Sequence, residues 1–228
     1  MADYDASDET SENESPPSDY NGRNVAPVIE AVHSQPPARC TQKVSSFDRV
    51  EKESPFTLRI CFWNICGLRS NIQKGGFDYL LRENPDIIAL QETRCPSDER
   101  PRKAQLPHYY ATFNDNIVNE GYSGVALYSE EKPLRILTDF GDQELDDECR
   151  LICAEFESFY FICIYTHTAR ETLERLPKRL KWDSLFRAFL EPLEKQKCII
   201  ICGDLNVAYR PRDVAPPANH LSRCSRLH

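Results

Sequence analysis

Polar side chains that can bind a metal ion or activate water follow the apolar β-like runs of this chain. A carboxylate such as Glu92 suits Mg²⁺, which prefers oxygen ligands and keeps most of its waters. A carboxylate beside an amide suits the activation of an attacking water, and Asp204 and Asn206 form such a pair. If the strands are neighbours in one sheet, their polar ends gather along one edge, although each residue alone is more often a turn or cap residue. The set comprises Asn64, Glu92, Tyr165, Asp204 and Asn206.

Apolar runs and helical periodicities predict the elements that must position these residues. The run from Cys198 to Gly203 is typical of a fully buried strand, which delivers Asp204 to its carboxyl end. The other predicted strands cover residues 57–63, 86–92, 109–113, 121–128, 150–156 and 159–165, and the predicted helices cover 77–83 and 177–196. The order strand, helix, strand occurs over 57–92, and a helix also precedes the last strand, so the elements point to an α/β protein.

The composition divides the 228 residues into three parts. Residues 1–55 contain eleven acidic and five basic residues with many Ser and Pro, which predicts a disordered acidic tail. Order is expected over 56–208, and 209–228 is expected to be irregular. The first part holds −6 of the net charge of −8, so the overall acidity says little about the partner of the ordered part. The six acidic residues within 139–148 are interpreted as a solvated face.

The ten cysteines contain no C-x-x-C pair, which argues against a zinc site and a thioredoxin-like motif. Five of the ten lie in apolar strand-like runs, so we expect reduced, buried thiols. We see neither a signal peptide nor an apolar stretch approaching ~20 residues, and expect a chain that is neither secreted nor embedded in a membrane.

Four motifs occur in the order and spacing of the exonuclease III-like apurinic/apyrimidinic endonucleases, and the chain resembles the animal branch of that family over about residues 57–208. The motifs are Trp63-Asn64-Ile65-Cys66-Gly67-Leu68-Arg69, Leu90-Gln91-Glu92-Thr93, Glu120-Gly121-Tyr122-Ser123-Gly124-Val125 and Gly203-Asp204-Leu205-Asn206-Val207-Ala208. The resemblance implies the four-layered αββα sandwich of the endonuclease/exonuclease/phosphatase superfamily, with about the first two-thirds of it present.

The resemblance also implies a function in base excision repair. The family cuts double-stranded DNA on the 5′ side of an abasic sugar, with 3′–5′ exonuclease or 3′-phosphodiesterase side activity, and a nuclear location is implied. Glu92 and Asn64 would hold Mg²⁺, or Mn²⁺, with no other cofactor, and Asp204 would activate water. Asn206 and Asn64 would fix the geometry, and Tyr165 would contact the phosphate or the leaving oxygen. The residues that match positions at or near the DNA backbone are Arg94, Tyr122, Arg150 and Arg175.

The chain departs from the family pattern in three places. Cys66 replaces an acidic residue, Thr168 replaces an asparagine, and no histidine follows a Ser-Asp pair. We therefore expect weak or absent activity, and an exposed sheet face that favours self-association. One alternative is a non-catalytic isoform that binds DNA or a protein. Another is a different enzyme of the superfamily, such as a phosphoinositide phosphatase or an RNA deadenylase, which the second and third motifs disfavour.

Overall fold

The structure is a computed structural model that describes residues 58–116, 118–170 and 172–208, together with 210 and 213. The predicted tail over 1–55 and nearly all of 209–228 lie outside the described residues. The strands are Ile60–Asn64 (β1), Ile87–Gln91 (β2), Tyr110–Asn114 (β3), Val125–Ser129 (β4), Arg135–Leu137 (β5), Leu151–Glu155 (β6), Phe159–Tyr165 (β7) and Cys198–Asp204 (β8). The α-helices are Leu68–Gln73 (α1), Gly76–Glu83 (α2), Gln143–Asp146 (α3) and Leu176–Glu194 (α4).

The strands form two four-stranded mixed sheets. The first sheet has the order β1-β2-β4-β3, in which β1 and β2 are parallel and the other pairs are antiparallel. The second has the order β5-β6-β7-β8, in which only β7 and β8 are parallel. Each parallel pair therefore lies at one end of its sheet, and a helical connection joins its two strands.

Three apolar clusters define the layers of the fold. Strand side chains alternate between faces, so Ile88 and Leu90 of β2 pack toward α1 and α2, while Ile87 and Ala89 pack between the two sheets. On the far side of the second sheet, Trp182 of α4 covers a third cluster. This order of helices, sheet, sheet and helix confirms the predicted αββα sandwich.

The strand from Cys198 is an edge strand, and the prediction that it is fully buried is wrong. It pairs only with β7 among the described residues, and Ile201 is 41% exposed. On the adjacent edge of the first sheet, Phe62 of β1 is 59% exposed. Strand side chains alternate between faces, so Phe62 lies on the same face as Ile60, which packs between the sheets, and Ile201 lies on the same face as Ile199, which packs toward α4. The exposed apolar surface therefore lies on sheet faces at the outer strands β1 and β8. An apolar run indicates a strand but does not indicate how many strands flank it.

The predicted strand over 121–128 begins four residues later, at Val125, and the elements that were missed altogether are short. The helix α1, the strand β5 and the one-turn helix α3 were not predicted, because segments of three to six residues carry too little periodicity. No helix in the described ranges is long and apolar enough to cross a membrane.

Candidate active site

The polar strand ends meet where the two sheets face each other. Asn64 ends β1 and Glu92 follows β2 in the first sheet, whereas Tyr165 ends β7 and Asp204 ends β8 in the second. The expectation that they line the edge of a single sheet is wrong in this respect. They gather because the carboxyl ends of two parallel pairs, one from each sheet, point to the same end of the sandwich.

The side-chain amide of Asn64 links the two sheets at this point. Its Nδ2 donates to Oε1 of Glu92 at 2.9 Å and to Oδ2 of Asp204 at 2.8 Å. An amide nitrogen has two hydrogens, and here each one serves a different carboxylate. Two acidic groups that are 112 positions apart in the sequence, 92 and 204, are thereby held side by side.

The carboxylate of Glu92 is surrounded by donors. Asn64 donates to Oε1, Arg94 forms an ion pair with Oε2, and the Tyr165 hydroxyl also donates to this carboxylate. Burial raises the pKa of Glu92, but these hydrogen bonds and the charge of Arg94 outweigh burial, so the pKa lies below its usual range. The backbone of Glu92 is left-handed, with φ of 56°, a sparsely populated conformation in a non-glycine residue. The side chain is therefore an ionised, oriented oxygen donor.

The residues after β8 orient the second carboxylate. The backbone N–H of Asn206 donates to Oδ1 of Asp204 at 3.0 Å, and the Asn206 amide donates to the Thr166 carbonyl at 2.9 Å. Gly203 allows β8 to lie close to β7 at this point, because a Cβ on residue 203 would overlap the carbonyl oxygen of Ile164. Asn206 thus fixes Asp204 and ties the loop after β8 to the loop after β7.

Tyr165 joins the carboxylates to a group of basic side chains. Burial and the hydrogen bond to Glu92 raise the pKa of Tyr165 well above its usual range, so its phenol stays protonated. The guanidinium carbon of Arg150 lies 4.3 Å from the centre of the Tyr165 ring.

The four residues assigned to the DNA backbone by resemblance lie beside the carboxylates. The hydroxyl of Tyr122 accepts from Arg150 and from Arg175, each at 3.0 Å. The backbone N–H of Arg94 donates to the carbonyl of Ser123, next to Tyr122. The side chain of Arg94 is 41% exposed, whereas that of Arg150 is 3% exposed. Arg150 is therefore enclosed behind the tyrosines.

The two substituted family positions also lie near the site. The backbone N–H of Cys66 donates to Oδ1 of Asn64 at 3.2 Å, and the Cys66 side chain is exposed. The hydroxyl of Thr168 accepts from the backbone N–H of Arg170 at 3.2 Å. In this arrangement Cys66 orients Asn64 through its backbone, which does not depend on the side chain.

The donor set fits a magnesium or manganese ion. Within the described ranges no group of three or more His, Cys, Asp or Glu side chains is gathered to hold a metal. Glu92 and Asp204 instead provide two carboxylates, and Asn64 places Nδ2 between them while its oxygen, Oδ1, accepts from the backbone N–H of Cys66. Mg²⁺ keeps several waters and commonly uses one or two carboxylates, so this set of hard oxygen donors is sufficient for it.

Sequence reasoning missed a charged cluster behind the site. Glu148 belongs to the segment that we interpreted as a solvated acidic face, yet its side chain is only 16% exposed and pairs with Arg150 and Lys178. His167 lies against it, 1% exposed. Burial and the nearby charge of Arg150 lower the pKa of His167 to about 3, so it is uncharged at neutral pH. The sequence offered one signal for this cluster, the opposite charges of Glu148 and Arg150 two residues apart. The other partner, Lys178, lies 30 residues away on α4 and could not be paired with Glu148 from the sequence.

The sequence and the fold resemble those of known nucleases. A model of the Endonuclease/Exonuclease/phosphatase family matches residues 61–227. The chain is 38% identical over 169 residues to "Recombination repair protein 1" of Drosophila melanogaster and 35% identical over 195 residues to "DNA repair nuclease APEX1" of Danio rerio. The crystal structure of AP endonuclease LMAP from Leishmania major superposes with a TM-score of 0.62 at 26% identity.

These matches cover much of this chain but less of its relatives. The alignments include 74% of the chain and 25% of the Drosophila melanogaster protein, and 84% of the chain and 60% of the Danio rerio protein. The Leishmania major structure is matched over 78% of this chain and 66% of its own. The family model, in contrast, matches well over half of the sequence, and the observed four-layered sandwich agrees with it. The chain therefore belongs to the Endonuclease/Exonuclease/phosphatase family.

Proposed function

We propose that this chain is a divalent-metal-dependent DNA phosphodiesterase that cuts the backbone on the 5′ side of abasic sugars, with 3′–5′ exonuclease or 3′-phosphodiesterase side activity. The observation that carries the proposal is the Asn64 amide, which holds the carboxylates of Glu92 and Asp204 side by side. The names of the relatives, a DNA repair nuclease and an AP endonuclease, support DNA as the substrate.

In the proposed reaction Asp204 acts as the general base. As the water oxygen bonds to phosphorus, Asp204 accepts a proton from that water, and the bond from phosphorus to the 3′ oxygen breaks. The leaving 3′ oxygen takes up a proton from solvent. Asn64 and the backbone of Asn206 each hold one oxygen of Asp204, which fixes the direction of proton transfer.

Glu92 and Asn64 would hold the metal ion, Mg²⁺ or Mn²⁺. The bound ion would neutralise negative charge on the phosphate that is cut. Tyr165 holds the Glu92 carboxylate through its protonated hydroxyl. Arg94, which is exposed, and Tyr122 and Arg175, which are half-buried, supply the donors and positive charge that a phosphodiester backbone requires, with Arg150 behind them.

We expect slow turnover. Neither histidine of the described ranges supplies a cation to the phosphoryl group: His167 is enclosed with a pKa of about 3, and His108 precedes β3. Without a cationic histidine, one donor fewer is available to balance the charge that develops on the phosphoryl group in the transition state.

A matched pair of variants tests the proposal. The purified chain should cut an abasic duplex, but not an undamaged one, with Mg²⁺ or Mn²⁺, and chelation should abolish the cut. Asp204→Asn should remove activity, whereas Asp78→Asn, an exposed carboxylate on α2, should not. Salt-sensitive binding of abasic DNA without any cut, at all metal concentrations, would favour the alternative of a non-catalytic DNA-binding module.

We further propose that the chain self-associates through the exposed edges of its sheets. Phe62 and Trp63 on β1 and Ile201 on β8 are the apolar side chains that support this proposal, with 59%, 39% and 41% exposure. An exposed apolar edge strand also presents unpaired backbone groups to another chain.

A further inference from the structure

Glu148 lies at the centre of the charged cluster behind the candidate site. Nε and Nη2 of Arg150 approach its Oε2 at 2.8 and 2.7 Å, and Lys178 of α4 donates to its Oε1 at 2.6 Å. Burial raises the pKa of Glu148, but the hydrogen bond from Lys178 and the charge of Arg150 outweigh burial and hold the pKa at about 2. The carboxylate is therefore ionised throughout the range in which a nuclease is assayed.

The partner of Glu148 reaches both tyrosines of the site. Besides its two contacts with Glu148, Arg150 donates from Nη1 to the carbonyl of Tyr165 at 3.2 Å and from Nη2 to the hydroxyl of Tyr122 at 3.0 Å. Its guanidinium carbon lies over the Tyr165 ring, 4.3 Å from the ring centre. A planar guanidinium that is held at Nε and Nη2 has its plane fixed, and so has the direction of its remaining donors.

The hydroxyl of Tyr122 depends on this arrangement. It accepts hydrogen bonds from Arg150 and Arg175, which are donors only, so both of its lone pairs are used. The phenolic hydrogen must then point away from both arginines. Tyr122 is thereby left with one donor to offer to an acceptor such as a phosphate oxygen.

We propose that Glu148 is a positioning residue for the proposed phosphodiester cleavage: it holds the Arg150 guanidinium so that Tyr165 and Tyr122 are presented to the DNA backbone. This inference rests on the proposed function. Glu148 acts through Arg150 and does not itself touch the substrate. Its second partner, Lys178, ties the arrangement to α4, the helix that also begins beside Arg175.

The surroundings of Glu148 favour this role over simple charge balance. His167 faces the carboxylate at 3.3 Å but is neutral, and neither ring nitrogen has a hydrogen-bond partner among the described residues. The carboxylate is therefore left to Arg150 and Lys178. The backbone of Glu148 contributes too, because its carbonyl accepts from the hydroxyl of Ser123, which follows Tyr122.

The test replaces Glu148 by glutamine, which keeps its shape and removes its charge. The matched control is Glu144→Gln, because Glu144 belongs to the same acidic segment but is 65% exposed and pairs with Lys181. Single-turnover cleavage of an abasic duplex should fall about 10- to 100-fold in Glu148→Gln, the loss expected when a charged hydrogen bond is removed, and should stay within about twofold in Glu144→Gln.

A double-mutant cycle tests whether Glu148 acts through Arg150. In an Arg150→Lys background, Glu148→Gln should cause little additional loss, because the group that it positions is already altered. Full, multiplicative losses in the double variant would overturn the proposal, since the two residues would then act independently.

A spectroscopic measurement separates this inference from the proposed function. The Nε–H of a guanidinium held out of water gives a persistent signal in ¹⁵N–¹H NMR spectra, and Arg150→Lys identifies that signal. It should persist in Glu144→Gln and disappear in Glu148→Gln while the protein stays folded by thermal unfolding. An unchanged Arg150 signal in Glu148→Gln would refute the positioning role, whether or not the chain cuts DNA. A wild-type chain without activity but with the expected NMR result would instead refute the proposed function alone.

If Glu148→Gln does not fold, Glu148→Asp provides the measurement. This variant keeps the charge and retracts the carboxylate by one carbon, so the Arg150 signal should weaken. Cleavage should fall, but by less than the loss of about 10- to 100-fold that is expected when the charge is removed. Cleavage and signal equal to those of the wild type would contradict the proposal.

Discussion

The interior strands and the strands on the β1/β8 side differ in what their side chains do. All residues of β2 and β4 and nearly all of β6 and β7 are buried, whereas β1 has no buried residue and β8 has none. Yet β1 and β8 carry Asn64 and Asp204 at their ends, and the interior strands β2 and β7 lead to Glu92 and Tyr165. The interior strands supply the rigid half of the candidate site, and the exposed strands complete it.

The largest effect should come from the residue that bridges the two kinds of strand. Asn64→Ala removes the donor to both carboxylates and leaves them facing each other without compensation. We expect cleavage to fall by about 10²- to 10³-fold, as for loss of a preorganised donor, with a small change in stability because the side chain is only partly buried. Single-turnover kinetics measures the cleavage rate, and thermal unfolding measures the stability. A fall of less than tenfold would show that the bridge is not needed for chemistry.

A pair of isoleucines compares the packing of the two regions directly. Ile162 of β7 and Ile201 of β8 are register partners, with 0% and 41% exposure. Ile162→Ala should lower the free energy of unfolding by about 3 kcal/mol because it leaves a cavity, whereas Ile201→Ala should lower it by about 1 kcal/mol or less. Urea unfolding of both variants measures the difference. Equal losses would mean that β8 is packed as tightly as β7.

Acid should weaken the folded state through the buried His167. Its pKa is about 3 when folded and 6.5 in the unfolded chain, so below pH 6.5 the unfolded chain takes up a proton that the folded chain refuses. The free energy of unfolding should therefore fall with decreasing pH, by about 1 kcal/mol per pH unit between pH 6.5 and 4.5. Below pH 4.5 the unfolded chain also takes up a proton at Glu148, whose folded pKa is about 2, and this adds to the loss.

His167→Leu should flatten this slope from pH 6.5 down to about pH 3, so that below pH 4.5 the contribution of Glu148 remains. Chemical unfolding at several pH values measures it. The same slope in the variant and the wild type would show that another group causes the acid sensitivity.

The smallest effect on stability should accompany a change in assembly. Ile201→Lys places a charge on the exposed edge of β8, which should reduce self-association while changing the free energy of unfolding by less than about 1 kcal/mol. Sedimentation analysis over a range of concentrations measures the assembly state. Unchanged association of Ile201→Lys would show that β8 is not part of the interface. A wild-type chain that is monomeric at all concentrations would refute self-association.

Local features of the sequence were sufficient for much of the fold. The strand Phe159–Tyr165 was predicted with its observed bounds, and α4 differs by one or two residues at each end. The placement of Asn64, Glu92 and Asp204 at or after strand ends also followed from the sequence, because an apolar run stops where a polar residue begins.

The features that the sequence did not predict depend on contacts between distant segments. The division of the strands between two sheets and the edge position of β8 are set by pairing across the chain. The burial of Glu148 depends on Lys178, which is 30 residues away on α4. A count of acidic residues in one segment therefore could not distinguish Glu148 from its exposed neighbour Glu144.

The amide of Asn64 also determines how the site behaves when no ion is bound. Because this neutral group supplies a hydrogen to each carboxylate, the two negative charges can remain adjacent in the metal-free protein. Exchange of Asn64 for the isosteric aspartate would replace both donors by a third negative charge. We expect that variant to bind divalent ions more tightly and to lose stability steeply on chelation, so that folding itself would become dependent on metal.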